Sequence, residues 1–246
     1  HTLFESSAAS DVYKRQSRNL ILAALAAASF TGVAAVPAQA EQGDWIFRVG
    51  AANVDPDTDS DEIDVAGLVT LDGVDVDDDT QLGITVTYML TDIWAVELLA
   101  ATPFEHDITV NGVGIDAGST KHLPPTLTFM WYPMGGKDSK FQPFVGAGIN
   151  YTYFWDEEVD SELEAALGTI IGSDDPVPAD LDLDDSWGFA ARAGFDYMFN
   201  DKWGLNAGVW WIDIDTEATI ETDVADVKFD VEIDPWVYML GVSYRW

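Results

Sequence analysis

The chain has 246 residues, no cysteine and a formal net charge of −33, from 44 acidic against 11 basic residues. Without cysteine there is no disulfide framework and no thiol chemistry. This acidity argues against nucleic-acid binding, because a phosphate backbone is neutralised by lysine and arginine. The length fits one large domain or two small ones. Hydrophobic residues make up 48% of the chain, so the acidity does not by itself imply disorder.

The N-terminal region predicts export. Residues 1–17 have no clear period and are interpreted as a non-native segment that lies outside the fold. Residues 18–40 place a positive flank before an apolar run and end on Ala38-Gln39-Ala40, as a secretory signal peptide does. We expect cleavage after Ala40 and a mature domain over residues 41–246. No later stretch is apolar and long enough for a spanning helix, so any membrane crossing must be made of strands.

The C-terminal stretch predicts a strand that faces lipid. Counting back from the end, every second residue is apolar or aromatic: Trp246, Tyr244, Val242, Leu240, Tyr238 and Trp236. Aromatic rings at both ends with aliphatic side chains between them are typical of a membrane-facing strand. Its edges must be paired, so the sheet must close into a barrel.

Seven further segments alternate in the same way, and eight strands result. They are Trp45–Ala52, Gln81–Tyr88, Trp94–Phe104, Leu123–Tyr132, Phe144–Phe154, Trp187–Phe199 and Trp203–Ile214. The connections alternate between long and short, which predicts an all-β, eight-stranded antiparallel up-and-down transmembrane β-barrel with long external loops and short periplasmic turns. We expect residues 55–79, 106–121 and 157–185 to be long loops, the last with a short helix over residues 161–167.

An eight-stranded barrel has a narrow interior, and its inward positions predict what fills it. The polar set could line a charged pore or form a plug of ion pairs, and we favour the plug because buried charges need partners. This set is Arg48, Glu97, Arg192, Asp196 and Arg245. We expect Leu99, Trp210, Met130 and Ile212 to lie above it and to form an apolar chamber.

Several stretches spread over the mature chain resemble the OmpW family of outer-membrane proteins. They include residues 80–83, 96–104, 122–127, 143–151, 185–188, 211–216 and 234–236. The resemblance implies a hydrophobic channel or pocket that opens to the outside and takes up small apolar molecules, with Leu99 and Trp210 as its constriction. It also implies contact with outer-membrane lipid and, in some relatives, a bacteriocin receptor role. The alternative function is a structural or receptor-type surface barrel that displays acidic loops and transports nothing.

No catalytic site, metal site or cofactor is predicted. His106 and His122 are the histidines beyond residue 40, and no nucleophile motif accompanies them. We expect His106 at a loop start and His122 at the rim of a strand. Closely spaced acids in residues 55–64 and 75–79 could suggest calcium. Their spacing does not fit an EF-hand loop, and a solvated, self-repelling surface is the favoured interpretation.

Overall fold

The computed structural model describes residues 40–65, 67–135, 139–223 and 226–246. The predictions for residues 1–17 and for the signal peptide, up to residue 39, lie outside the described residues. The strands are β1 (Trp45–Asp55), β2 (Asp59–Ser60), β3 (Ile63–Val65), β4 (Val69–Leu71), β5 (Val74–Val76), β6 (Asp79–Met89), β7 (Trp94–Ala101), β8 (Phe104–Val110), β9 (Ile115–Leu123), β10 (Thr126–Trp131), β11 (Phe141–Val159), β12 (Ala179–Leu183), β13 (Ser186–Met198), β14 (Trp203–Ile212), β15 (Asp215–Thr222), β16 (Val227–Glu232) and β17 (Trp236–Arg245). The helix α1 spans Ser161–Ile171. In these ranges no helix has the length and hydropathy that a membrane crossing needs.

Eight of the strands close into an antiparallel barrel, as predicted. Their order around the wall is β10, β7, β6, β1, β17, β14, β13 and β11, and β11 pairs back with β10. The first and last strands seal the barrel over a continuous register from Ile46 opposite Arg245 to Asp55 opposite Trp236. The first and last strands are therefore each paired on both sides, which a wall in hydrocarbon requires.

The two faces of each barrel strand follow the predicted alternation. Outward side chains on β17, such as Tyr238, Leu240 and Val242, are almost half exposed, while Val237 and Met239 at the alternate positions are buried. Exposed aromatic residues cluster near both ends of the wall. They include Trp45, Trp94, Trp131, Phe141 and Trp203 at the periplasmic end and Tyr153, Trp187, Phe189 and Trp236 at the external end. Such belts sit at the two headgroup levels of a bilayer.

Glycines allow the closing seam to pack tightly. Gly50 on β1 lies directly opposite Gly241 on β17 and opposite Gly83 on β6. A Cβ atom on Gly50 would collide with the carbonyl oxygen of Leu240, and one on Gly241 would collide with that of Val49. The bare backbone is therefore part of how the barrel closes.

The prediction of long loops is wrong in one respect, because these segments largely form strands and a helix. Residues 55–79 contain β2 to β5, residues 106–121 lie mostly in β8 and β9, and α1 is longer than the predicted helix. The β12, β15, β16 and β2 strands form a separate sheet, while β9, β8 and β5 extend the barrel wall upwards from β11. We call β2–β5, β8, β9, α1, β12, β15, β16 and their connections the external lobe.

Candidate functional site

The external lobe encloses an apolar cavity of about 470 Å³. Its walls combine strands from every part of the lobe with one face of α1, from which Leu163 and Leu167 point inward. The lining residues that are not apolar are His106, Thr120, His122, Thr169, Thr216 and Thr222. Val113 and Ile171 belong to the lining and are also well exposed, so they lie where the cavity meets solvent. Among the residues that the structure describes, no charged side chain lines it, which suits an apolar ligand and penalises a charged one.

The same acidic stretches that suggested solvated loops build these walls. In β3 the residues Ile63 and Val65 are buried and Asp64 between them is exposed. In β16 the buried residues Val227, Phe229 and Val231 alternate with exposed charged ones. A period of two places carboxylates on the outer face and aliphatic side chains on the cavity face. This alternation was the signal in the sequence that could have predicted the lobe.

Two buried histidines belong to the cavity wall, and their sequence interpretation was wrong. His106 on β8 and His122 on β9 are each only 2% exposed, so neither lies at a loop start or at an open rim. Their ring centroids are 4.8 Å apart. Phe104 and Phe154 pack against the edge or face of the His122 ring. Burial lowers the pKa of both imidazoles, that of His122 to about 3, so both are neutral at ordinary pH.

Below the lobe, four of the five predicted polar residues form one buried network inside the barrel. Arg48 donates from Nε and Nη2 to the two carboxylate oxygens of Asp196, at 3.0 and 2.6 Å. Its Nη1 reaches Glu97 at 2.8 Å, and Nε of Arg192 lies 2.9 Å from the other Glu97 oxygen. Thr87, Tyr132 and Asn206 add hydrogen bonds to the group. The side chains of all four charged residues are at most 1% exposed.

Arg245 lies apart from this cluster, near the periplasmic end of the barrel. Its Nε is 3.8 Å from a carboxylate oxygen of Asp44. Met130 also lies lower than expected. It packs with Ile46, Met89, Tyr132 and Phe144 in a second apolar cluster, because β10 descends from Thr126 towards the periplasmic turn. The prediction that Met130 belongs to an upper chamber is therefore wrong.

Leu99 and Trp210 both point inward and are buried, at 3% and 0% exposure. They belong to the same apolar core as the external lobe, together with Ile212. Neither residue lines the cavity itself. The guanidinium carbon of Arg192 lies 3.6 Å from the centroid of the Trp210 ring, a stacking geometry that favours a cation. Trp210 thus separates the charged network from the apolar region above it. Its predicted role as a constriction stays a prediction.

The acidic residues whose carboxylate oxygens lie close enough together to bind a cation are not those of residues 55–64 and 75–79, which the sequence suggested. Within the described ranges, Asp213, Asp215 and Asp234 bring their carboxylate oxygens within 4.8 Å of one another. They lie where β14 passes into β15 and just before β17 begins. Burial raises the pKa of Asp215 and of Asp234, with neighbouring carboxylates adding to the effect. This arrangement marks a point of like-charge repulsion in the lobe.

Comparison with known proteins agrees with this architecture. A crystal structure of OprG from Pseudomonas aeruginosa superposes with a TM-score of 0.75 at 44% identity, covering 86% of this chain and 99% of that one. Outer membrane protein W of Vibrio cholerae serotype O1 is 46% identical, over 83% of this chain and 89% of the relative. Outer membrane protein W of Escherichia coli K12 is 43% identical, over 93% and 99% respectively.

The sequence model of the OmpW family matches residues 41–246, the whole of the predicted mature domain. That match agrees with the closed eight-stranded wall, its aromatic belts and its folded external lobe. The chain therefore belongs to the OmpW family and is an outer-membrane β-barrel of a Gram-negative bacterium.

Proposed function

We propose that the protein takes up small apolar molecules through the cavity of its external lobe. The observation that carries the proposal is the cavity's size of about 470 Å³ together with a lining whose described residues include no charged side chain. Pockets of this volume and polarity are typical of sites for small ligands. A surface barrel that only displays acidic loops has no need of such a cavity. The bacteriocin receptor role stays a prediction.

The buried charges below the cavity bear on the route of uptake. A molecule that continued down the lumen would have to pass Trp210 and then part the ion pairs among Arg48, Glu97, Arg192 and Asp196. Breaking such pairs without replacing their partners is costly. We therefore favour exit sideways, between the upper parts of the barrel strands and into the lipid, over passage through the barrel.

Filling the cavity tests the proposal. Ala218 and Ala166 line it, one on β15 and one on α1. Ala218→Phe and Ala166→Phe should each slow uptake of N-phenyl-1-naphthylamine by roughly tenfold, because overpacking costs about 1–3 kcal/mol. The dye's fluorescence rises as it enters the membranes of cells that lack other routes. Ala191→Phe, which adds the same ring on the lipid side of β13, is the matched control. Equal uptake by all three variants and the wild type would refute the proposal.

The same assay separates the two routes. Trp210→Ala opens space between the cavity and the charged network. If molecules descend the lumen, this change should raise or lower the uptake rate. If they leave sideways above Trp210, the rate should stay at the wild-type value. An altered rate would overturn the sideways route while leaving the cavity proposal intact.

A further inference from the structure

His106 and His122 are polar groups of the cavity lining with which a purely apolar ligand forms no hydrogen bond. They lie side by side where β8 pairs with β9, with Phe104 opposite His122 and His106 opposite Thr120. Both histidines are part of the cavity lining. The other polar groups of the lining are the hydroxyls of four threonines. The imidazoles are therefore its strongest hydrogen-bonding side chains.

Each imidazole keeps one nitrogen without a protein partner. Nδ1 of His106 lies 2.5 Å from the carbonyl oxygen of Asp77, and a neutral ring must donate its proton in that contact. Nε2 of His106 is then a bare acceptor. Among the described residues, neither this atom nor Nε2 of His122 has a hydrogen-bond partner, and both are buried. Leaving such atoms unpaired is unfavourable.

A hydroxyl group matches these two nitrogens. It can donate to the bare Nε2 of His106, and it can accept from Nε2 of His122 when that ring carries its proton on Nε2. A carboxylate fits poorly, because Asp78, Asp79 and Asp107 place negative charge around His106. An alkane leaves both nitrogens unpaired. Both atoms have almost no accessible surface, so the ligand must turn a ring about its Cβ–Cγ bond. His122 is better placed to turn, since the Asp77 contact holds His106.

We propose that the cavity selects apolar molecules that carry a hydroxyl group, and that His106 and His122 bind this group. The inference rests on the proposed function, since it assigns the ligand class of the same cavity. The rest of the ligand packs against aliphatic side chains of the cavity wall, such as Ile108, Val231 and Leu167. The pair thus adds a polar end to an otherwise apolar site, which is how such sites orient their ligands.

Titration of the full-length protein in lipid nanodiscs with 1-decanol and with n-decane tests this inference. The chain has only three histidines, so selective ¹⁵N labelling gives few imidazole signals. Substitution of His122 assigns its signal. We expect 1-decanol to shift the ¹⁵N resonances of His106 and His122 and to bind about tenfold more tightly than n-decane. Empty nanodiscs correct for partition of each probe into lipid.

His122→Phe is the deciding variant, because it keeps an aromatic ring between Phe104 and Phe154. It should bring the affinity for 1-decanol down to that for n-decane. Thr128→Val, which removes a buried hydroxyl from a residue outside the cavity lining, is the matched control and should keep the preference. Equal binding of both probes to the wild type, or an undiminished preference in His122→Phe, would overturn the histidine assignment alone. Failure of both probes to bind would instead refute the cavity as a ligand site.

Discussion

Replacing Arg48 by methionine is expected to destabilise the barrel by about 3–5 kcal/mol, because removing one partner of a buried ion pair leaves the other charge uncompensated. Arg48 is fully buried and contacts two carboxylates, Asp196 and Glu97. Glu97 keeps Arg192 as a neighbour. Asp196 keeps only the amide of Asn206 among the side chains described as its hydrogen-bond donors. The loss of stability should therefore come mainly from the uncompensated charge of Asp196.

Urea unfolding of the protein in lipid vesicles, followed by its shift in electrophoretic mobility, measures this change. Lys228→Met is the control, because its pair with Glu217 is exposed on the lobe, and exposed pairs contribute about 0–1 kcal/mol. Adding Asp196→Asn to Arg48→Met should restore part of the lost stability, because it removes the bare charge. A loss below about 1 kcal/mol for Arg48→Met would contradict the buried network.

The barrel could be predicted from the sequence because lipid imposes a simple rule. Outward residues such as Leu240 are apolar or aromatic, whereas inward ones include the polar Ser243 and Arg245, and closure follows once one strand faces hydrocarbon. The inward charges were also predictable, since Arg48 and Glu97 fall on the lumen side of their strands. Their exact partners were not, because Arg48 and Asp196 are 148 positions apart and meet only across the barrel.

The external lobe was missed for a different reason. Its strands carry acids on the solvent face, and their charge obscured the buried aliphatic residues between them. Asp64 and Asp75, for example, each lie between two residues that line the cavity. The histidine pair was missed because His106 and His122 belong to different strands, and burial is set by the packing of Phe104 and Phe154 around them. Neither fact has a local sequence signal.

Acid should open the β8–β9 hairpin, and the histidines set the direction of the effect. The folded state holds the pKa of His122 at about 3, below the ordinary value of 6.5, because burial disfavours the charged ring. Burial likewise lowers the pKa of His106, against the opposing influence of Asp77, Asp78, Asp79 and Asp107. Protons bind the unfolded hairpin more readily, so stability is fully present above pH 6.5 and is lost as the pH falls towards 3.

Hydrogen exchange at several pH values, corrected for the intrinsic rate, measures this opening. One group loses about 1.4 kcal/mol per pH unit in this window. His122 alone should therefore lower the protection of β8–β9 amides by up to about 100-fold between pH 6.5 and roughly pH 4.5. His122→Phe should remove most of that change, because phenylalanine has no proton to bind. Protection that does not fall with pH in the wild type would contradict the burial of a neutral pair.

The neighbouring β15–β16 hairpin supplies an internal control of opposite sign. Asp215 and Glu232 stand directly opposite each other, and Asp59 faces Glu232 from β2. Burial raises the pKa of Asp215 and of Asp234, and the charge of Asp215 raises that of Glu232. Their mutual repulsion weakens this hairpin at neutral pH and is relieved as the carboxylates bind protons. The β15–β16 amides should therefore gain protection as the pH falls towards the ordinary carboxyl pKa values of 3.8 and 4.5, whereas the β8–β9 amides lose it. A parallel loss in both hairpins would indicate global unfolding instead of protonation of the histidines.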